Sequence, residues 1–461
     1  MQGARLLFVT GKLAEPALRR ILPDVSRQAD FEYDVRVLKI SVAALIRADW
    51  LLKNLGEFHD FDRVILPGWC EGNLEPLSDR FGTPFALGPK DLYDLGEYFG
   101  TESHRTVDLS QYDIEILAEI NHAPRLSDTA ILEQAESYRN SGADVIDLGC
   151  IPGESWSRAG DVTRLLRADG HRVSIDTFER REVERAVEAG AELVLSCNSS
   201  NVDWLTDVDA ELVAIPDETG ELSTLETTIN RLSGRSRGYR IDPILEPIGF
   251  GFTASLERFF EARRRWPDAE IMMGIGNVTE LTDVDTAGVN VILASLCQEL
   301  GIHSVLTTQV INWARTAVGE FDLARRLVYH SINNRVLPKH VSSELVMLRD
   351  TKLRNMNQDE LDALAARLTD PNFRIFAENG EIHVMSRDGH WQGRDPYELI
   401  DHVEAEAGPL DPSHAFYLGY EISKAITALT LGKQYTQDEP LRWGMLTVDE
   451  TSAVERRKHR K

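Results

Sequence analysis

From Asp113 to Arg335 the chain repeats one pattern eight times: a short β-rich run, a polar break, then an amphipathic helical stretch. The runs are Ile114–Ile120, Ala143–Leu148, Arg172–Ile175, Glu192–Leu195, Glu211–Ile215, Gly238–Ile241, Glu270–Met273 and His303–Leu306. Helical spacing predicts Asp128–Ser141, Ser155–Ala168, Glu179–Ala189, Val202–Val208, Ser223–Leu232, Thr253–Trp266, Thr279–Leu300 and Gln309–Arg335 between and after them. Eight strand–helix units in about 220 residues fit a closed (β/α)8 barrel. An open doubly wound sheet is the alternative, because counting elements does not show closure.

The segments on either side read differently. Arg5–Val9, Tyr33–Leu38 and Arg63–Leu66 are predicted strands, each followed by a predicted helix (Leu13–Ile21, Val42–Leu55, Leu74–Phe81). That is a small Rossmann- or flavodoxin-like α/β domain. The turn Pro67–Asn73 lacks the GxGxxG pattern of dinucleotide sites and reads as structural. After the barrel, Arg349–Arg367 reads as a charged helical connector. Phe373–Met385 alternates around Asn379-Gly380, a strong hairpin signal, and Ala415–Leu431 reads as a buried helix. The expected organisation is therefore α/β throughout the first two parts: an N-terminal domain over 1–110, the barrel over 111–338, and a connector with a small α+β domain over 339–461.

Fifty Lys and Arg against 75 Asp and Glu leave a net charge of −25, which argues against nucleic acid and anionic membranes as partners. No apolar run approaches the roughly 18–20 residues of a membrane span, and the apolar stretch near the start is too short for a signal peptide core. Cys70, Cys150, Cys197 and Cys297 are far apart with no CxxC pair. Zinc ribbons, iron–sulfur clusters and disulfide frameworks are poor readings, and a reducing cytoplasm is expected.

In a barrel, polar residues just after each strand converge on one face. Those positions hold Glu119, Asn121 and His122; Asp147 and Gly149; Asp176 and Thr177; Cys197 and Asn198; Pro216 and Asp217; Asp242; and Gly274, Gly276 and Asn277. The set is rich in carboxylates and carboxamides and poor in cations. Carboxylates only accept hydrogen bonds and carboxamides do both, so together they can read the edge of a flat, donor-rich ring such as a pterin or purine. Taken singly, Asp147 and Asp176 could equally cap the helices that follow them.

Several segments resemble the pterin-binding barrels, the group of dihydropteroate synthases and corrinoid-linked methyltetrahydrofolate methyltransferases. Val173-Ser-Ile-Asp176-Thr177 is similar to their SIDT strand end, and Gly142–Gly149 with Pro152-Gly153 to their GADIIDIG…PG segment. Ser196-Cys197-Asn198 stands where both branches carry an Asn, and Asp242-Pro243 with Gly249–Phe252 resembles DPGIGFGK. The resemblance implies that Asp176, Asn198 and Asp242 bond the pterin ring, with Asp242 at its amino–imine edge. It implies that Asn121 lies near any Mg2+ and a leaving diphosphate, with Asp147 in the same pocket. Asn277, in Gly274-Ile-Gly-Asn-Val-Thr279, resembles the methyltransferase loop whose Asn sits beside the methylated pterin nitrogen.

Three departures argue against ordinary p-aminobenzoate condensation. The synthase Lys after GFG is Phe252, its S-R-K is Gly276-Asn277-Val278, and its Arg-bearing loop is shortened to Cys150–Gly153. Arg125, Arg158 and His122 are the loop groups that could substitute, although solvated surface charge is the commoner role. The three-part layout and the tail Tyr417–Gly444 resemble the dihydropteroate synthase-like proteins of tetrahydromethanopterin-using organisms. This implies a transferase acting on a reduced pterin in tetrahydromethanopterin or folate-type metabolism, and a homodimer through the last two barrel helices. The alternatives are a methyltetrahydropterin methyltransferase with a separate corrinoid partner, and a non-catalytic pterin-binding scaffold. The sequence assigns no catalytic residue, and the tail's aromatic residues, Lys424 and Lys433 either pack or cover the barrel mouth.

Oxygen ligands plus a substrate phosphate suit Mg2+ and no softer ion. The purified apo protein should carry no stoichiometric zinc or iron. Elemental analysis finding about one tightly held transition metal per chain would overturn this.

Overall fold

The computed structural model describes residues 3–90, 92–100, 107–351 and 353–450. It divides into two compact units, residues 1–113 with 326–341, and residues 114–325 with 342–461. In the first, β1 (Ala4–Thr10), β2 (Phe31–Val37), β3 (Arg63–Leu66) and β4 (Phe85–Leu87) form a parallel sheet in the order β2-β1-β3-β4. Successive side chains of β1 feed different cores: Leu7 and Val9 pack with Val64, Leu66 and Leu51, while Leu6 and Phe8 pack with Leu18, Leu22 and Ile65. A strand covered on both faces reads as one continuous apolar run, as Leu6–Val9 does. The three-residue β4 was not expected, being too short to show a period.

In the second unit all eight expected runs form strands, and they close into a parallel barrel. They are β5 (Glu115–Ile120), β6 (Val145–Gly149), β7 (Val173–Asp176), β8 (Leu193–Cys197), β9 (Glu211–Ala214), β10 (Tyr239–Ile241), β11 (Glu270–Gly274) and β12 (Ser304–Thr307), with β12 pairing back onto β5. Closure settles the choice between barrel and open sheet. Leu117, Val145, Leu193, Leu195, Val213 and Met272 fill the interior as an apolar cluster. Below them, at the strands' N-terminal ends, Arg240 bridges Glu115 at 2.6 Å and Glu211 at 3.0 Å. Burial alone would raise the Glu115 carboxyl, but Arg240 and Arg172 outweigh it and hold it below the usual range.

The long predicted helices are interrupted where the chain crosses the barrel mouth. Thr279–Leu300 becomes Gly276–Thr279 and Thr286–Leu300, and the last helix begins only at Ala317. Met445 packs against its first turn, where a Cβ added at Gly319 would lie 2.8 Å from Met445 Cε.

Beyond the barrel, β13 (Arg374–Glu378), β14 (Glu381–Ser386) and β15 (Gly389–Gly393) form an antiparallel sheet. Asn379 and Gly380 take φ of 52° and 79°, as a tight two-residue turn requires. Helices Pro396–Ala407 and Pro412–Leu431 pack on it, each started by an Asp cap and a Pro in the first turn. Among its described residues the connector is helical only over Gln358–Ala365, where Asn357 and Glu360 make a capping box. The tail's lysines are pinned within this unit. Lys424 meets Glu421 at 2.9 Å and the Glu439 carbonyl at 2.9 Å, and Lys433 donates to the Met347 carbonyl at 2.7 Å.

One side chain ties the barrel's last helix to its first strands. Arg325, 1% exposed, donates to Asp144 at 2.5 Å, to Asp322 at 2.6 Å and to the Gly142 carbonyl at 2.9 Å. Gly142 has φ of 102°, and a Cβ there would lie 2.5 Å from Asp322 Cγ, so this motif glycine serves packing. Arg325→Ala removes a buried guanidinium from two partly buried carboxylates and should lower unfolding free energy in urea by about 3 kcal/mol; a loss below about 1 kcal/mol would contradict the role.

Candidate functional site

The strands' C-terminal ends bring five carboxylates together: Glu119, Asp147, Asp176, Asp242 and Glu280. Glu119 on β5 is level with Asp147 on β6, and Asp147 with Ser174 on β7. Asp147 is completely buried, with Oδ1 accepting from Ser174 Oγ at 2.6 Å and Oδ2 without a partner among the described residues. Two residues higher, Asp176 is partly exposed and accepts from Ser196 Oγ at 2.9 Å. The Glu119 carboxyl reaches over Gly149, where an added Cβ would lie 2.3 Å from its Oε1.

Two backbone irregularities aim the polar groups. At the end of β8 the pairing register shifts between Val194 and Cys197, and Ser196 takes φ of 72°. Such a bulge turns a side chain that strand alternation would send elsewhere, here toward Asp176. After β10, Ile244 adopts φ of 65°, an unusual state for a β-branched residue. Its N–H donates to Asp242 Oδ1 at 2.8 Å. The turn is held by buried Arg258, which donates to the Ile244 carbonyl at 3.0 Å and to Glu246 at 2.8 Å.

The electrostatics follow from crowding in a place with little water. Burial first, then the charges of Asp176 and Glu280, push the Glu119 carboxyl up to about 7. Asp147 is raised by burial and by Asp176 and Glu119, against the Ser174 hydrogen bond. Burial raises Asp176 against the bond from Ser196. Asp242 rises to about 7 through burial, despite N–H bonds from Ile244 and Gly274 and the charge of Arg258. Glu280 is raised by burial against a bond from the Val310 N–H. Glu119 and Asp242 therefore exchange protons near neutrality, and all five carboxyls hold a proton more readily than free ones do.

The positions expected from sequence fall into three groups. Asp176 and Asp242 stand at the mouth as acceptors. Asp176 is no helix cap: the helix Arg180–Glu188 has Glu179 at its N-cap, whose N–H goes to Thr177 Oγ1 at 3.0 Å. Asn198 is engaged with its own loop and Asn277 with the loop that follows β10. Asn198 Oδ1 accepts from Ser200 N at 3.0 Å, and Asn277 Nδ2 donates to the Leu245 carbonyl at 2.8 Å. Asn121 follows β5 half-buried. Asp147 lies fully buried, level with Glu119 and two residues below Asp176, and presents no surface to the mouth. Arg125 and Arg158 pair with Glu154 at 3.6 Å and Asp128 at 2.5 Å, so they serve the loops.

Glu280, Ser196 and Arg258 were not expected. Glu280 lies four residues beyond the loop glycine that carried the motif, and a bulge or a buried Arg leaves no periodic trace in one sequence. A tight group of possible metal ligands, Glu136, Asp169 and His171 within 4.8 Å of one another, lies at the opposite end of the barrel. Arg139 pairs with Glu136 and donates to the Asp169 carbonyl at 3.2 Å, supplying the positive charge there.

A carboxyl whose folded value is raised binds more protons in the native than in the unfolded state. Its contribution is therefore present below the unfolded value and lost as pH rises through the folded one, here between 4.5 and about 7 for Glu119. Glu119→Gln should stabilise the protein by about 2 kcal/mol near pH 8 and by clearly less near pH 5.5. Thermal melts at the two pH values test this, and an equal shift at both would refute it.

Comparison with known proteins adds three findings. Residues 4–90 match a family described as a family of unknown function (DUF6513), and residues 358–438 match the family PterinBD-DUF4346. An uncharacterized protein of Methanocaldococcus jannaschii is 26% identical, covering 94% of this chain and 98% of that one. Among solved structures, dihydropteroate synthase of Yersinia pestis with a pterine–sulfa conjugate is 17% identical, covering 49% of this chain and 96% of that one, with a TM-score of 0.38. The Thermus thermophilus enzyme in complex with 6HMPPP is 19% identical, with 50% and 97% covered and a TM-score of 0.39. That of Coxiella burnetii with pteroic acid is 16% identical, with 49% and 95% covered and a TM-score of 0.39. The chain thus holds a closed eight-stranded parallel barrel and, after it, a segment at 358–438 that matches the PterinBD-DUF4346 family.

Proposed function

We propose that the barrel mouth binds a reduced pterin and that the protein is a transferase acting on it, in tetrahydromethanopterin or folate-type metabolism. The observation that carries the reading is the pair Asp176 and Asp242, two acceptors at the mouth held by Ser196 and by the Ile244 N–H. A ring with an amino–imine edge offers several N–H donors in one plane, and a carboxylate facing them makes a charge-assisted pair. The solved relatives named above with pterin-type ligands, and the PterinBD-DUF4346 match, support the same class.

The roles divide by position. Asp242 takes the amino–imine edge and Asp176 a second N–H, while the Nδ2 of Asn198 is the donor that remains once its Oδ1 is committed to Ser200. Asn121, whose carboxamide makes no bond among the described residues, is the oxygen donor for Mg2+ when a phosphorylated substrate is used, and the ion would neutralise departing phosphate charge. Methyl transfer is the second reading. It is favoured by Asn277, whose anchored Nδ2 leaves Oδ1 as an acceptor, and by a mouth where Phe252 stands and the loop arginines are paired. It would take its corrinoid from a separate partner.

Asp176→Asn keeps the volume, removes the charge and turns one acceptor into a donor. Reduced-pterin affinity, titrated anaerobically, should fall about ten- to a hundredfold, as a donor meeting a donor costs about 1–3 kcal/mol. The melting temperature should stay level or rise. Unchanged affinity would remove Asp176 from the site and the pterin reading with it.

A further inference from the structure

The pterin reading leaves two carboxylates of the mouth unused, Glu119 and Glu280. We propose that they form a subsite for a cationic amine carried on an apolar body, the second ligand of the barrel, resting on the pterin reading only for its neighbour.

The geometry is that of a receptor for N–H donors. Glu119 lies over Gly149 and makes no hydrogen bond among the described residues. Glu280 is held from one side: its Oε1 accepts from Thr308 Oγ1 and from Val310 N at 3.1 Å, and its Oε2 takes no bond among the described residues. The two are near enough to repel, and both act on the buried Tyr138 hydroxyl. Level with Glu119, the fully buried Asp147 keeps Oδ2 without a partner among the described residues. That atom is costly in a dry interior unless a proton or a donor above it relieves the charge.

The arginines described at the mouth are committed elsewhere. Arg258 is committed to Glu246, Arg125 to Glu154 and Arg158 to Asp128. A bare metal ion suits the arrangement less well, because among the described residues only Glu136, Asp169 and His171 bring possible ligand atoms within 4.8 Å of one another. An ammonium offers three N–H donors that span more widely spaced carboxylates. Leu281 and Val310, 65% and 59% exposed, adjoin Glu280 in sequence and through its hydrogen bond, and would cover the apolar body. An anionic partner would meet uncompensated negative charge.

The test is calorimetric titration of the full-length protein with benzylamine and, separately, benzoate, near pH 8. Benzylamine should bind and benzoate should not, and benzylamine affinity should fall by about tenfold toward pH 6 as the carboxylates take up protons. Glu119→Gln and Glu280→Gln should each weaken benzylamine by about tenfold while reduced-pterin affinity stays within about threefold of wild type. Glu280→Gln keeps the test open if Glu119→Gln misfolds. Benzoate binding as tightly as benzylamine, or both variants retaining benzylamine affinity, overturns the proposal. So does a rise in melting temperature with Mg2+ alone that Glu119→Gln abolishes, which would give the carboxylates to a metal. Benzylamine binding by a wild type that binds no pterin upholds this subsite and removes the pterin reading.

Discussion

A closed barrel has an interior that its own strands must fill, and charge there is tolerable only where it is paired. The two ends of this barrel meet that demand in opposite ways. At the strands' N-terminal ends, Glu115, Glu211, Arg240 and Arg172 form a compensated network that seals the floor. At the C-terminal ends, five carboxylates converge around one committed arginine. The low-dielectric interior between them, filled by Leu117, Val145, Leu193, Leu195 and Met272, keeps the upper charges from being screened. The apolar filling thus makes the mouth a strong acceptor field.

Holding that field in place needs backbone states that ordinary strands and helices do not provide. The left-handed conformations of Ser196 and Ile244 each cost of order 1–2 kcal/mol. Each supplies one hydrogen bond to a mouth aspartate, and the Ile244 turn is fixed by Arg258 from below. Strain gathers at the end of the barrel where a ligand would sit. The opposite end is made of ordinary ion pairs.

Outside the barrel, several side chains of the C-terminal sheet domain pair with one another. In the C-terminal sheet domain Tyr435 donates to Glu421 at 2.7 Å, Glu421 pairs with Lys424, and Gln437 donates to Tyr417 at 2.8 Å. Of the two expectations for the tail motif, these contacts fit packing within its own domain. Its lysines close a domain core and do not reach toward the barrel mouth for a substrate.

The eight barrel strands were legible in the sequence because alternation and strand–helix spacing are local properties, and each predicted strand lies within about two residues of its place. Asp176, Asp242 and Glu119 were legible for the same reason, since residues that end parallel strands must share a face once the strands associate. The short β4, the hairpin's third strand β15 and the breaks at Thr279 and Gln309 were not, as three-to-five-residue segments carry too little period. Only the tertiary structure decided closure, which is a pairing of β12 with β5 across some 190 residues. It alone separated Asp147, sunk and half-partnered, from Asp176, raised and open, although the two positions look alike in sequence. It also brought Glu280 to Glu119 and sent Ser196 inward through a bulge. Depth, charge proximity and backbone handedness are set by packing between distant segments, and a single sequence records none of them.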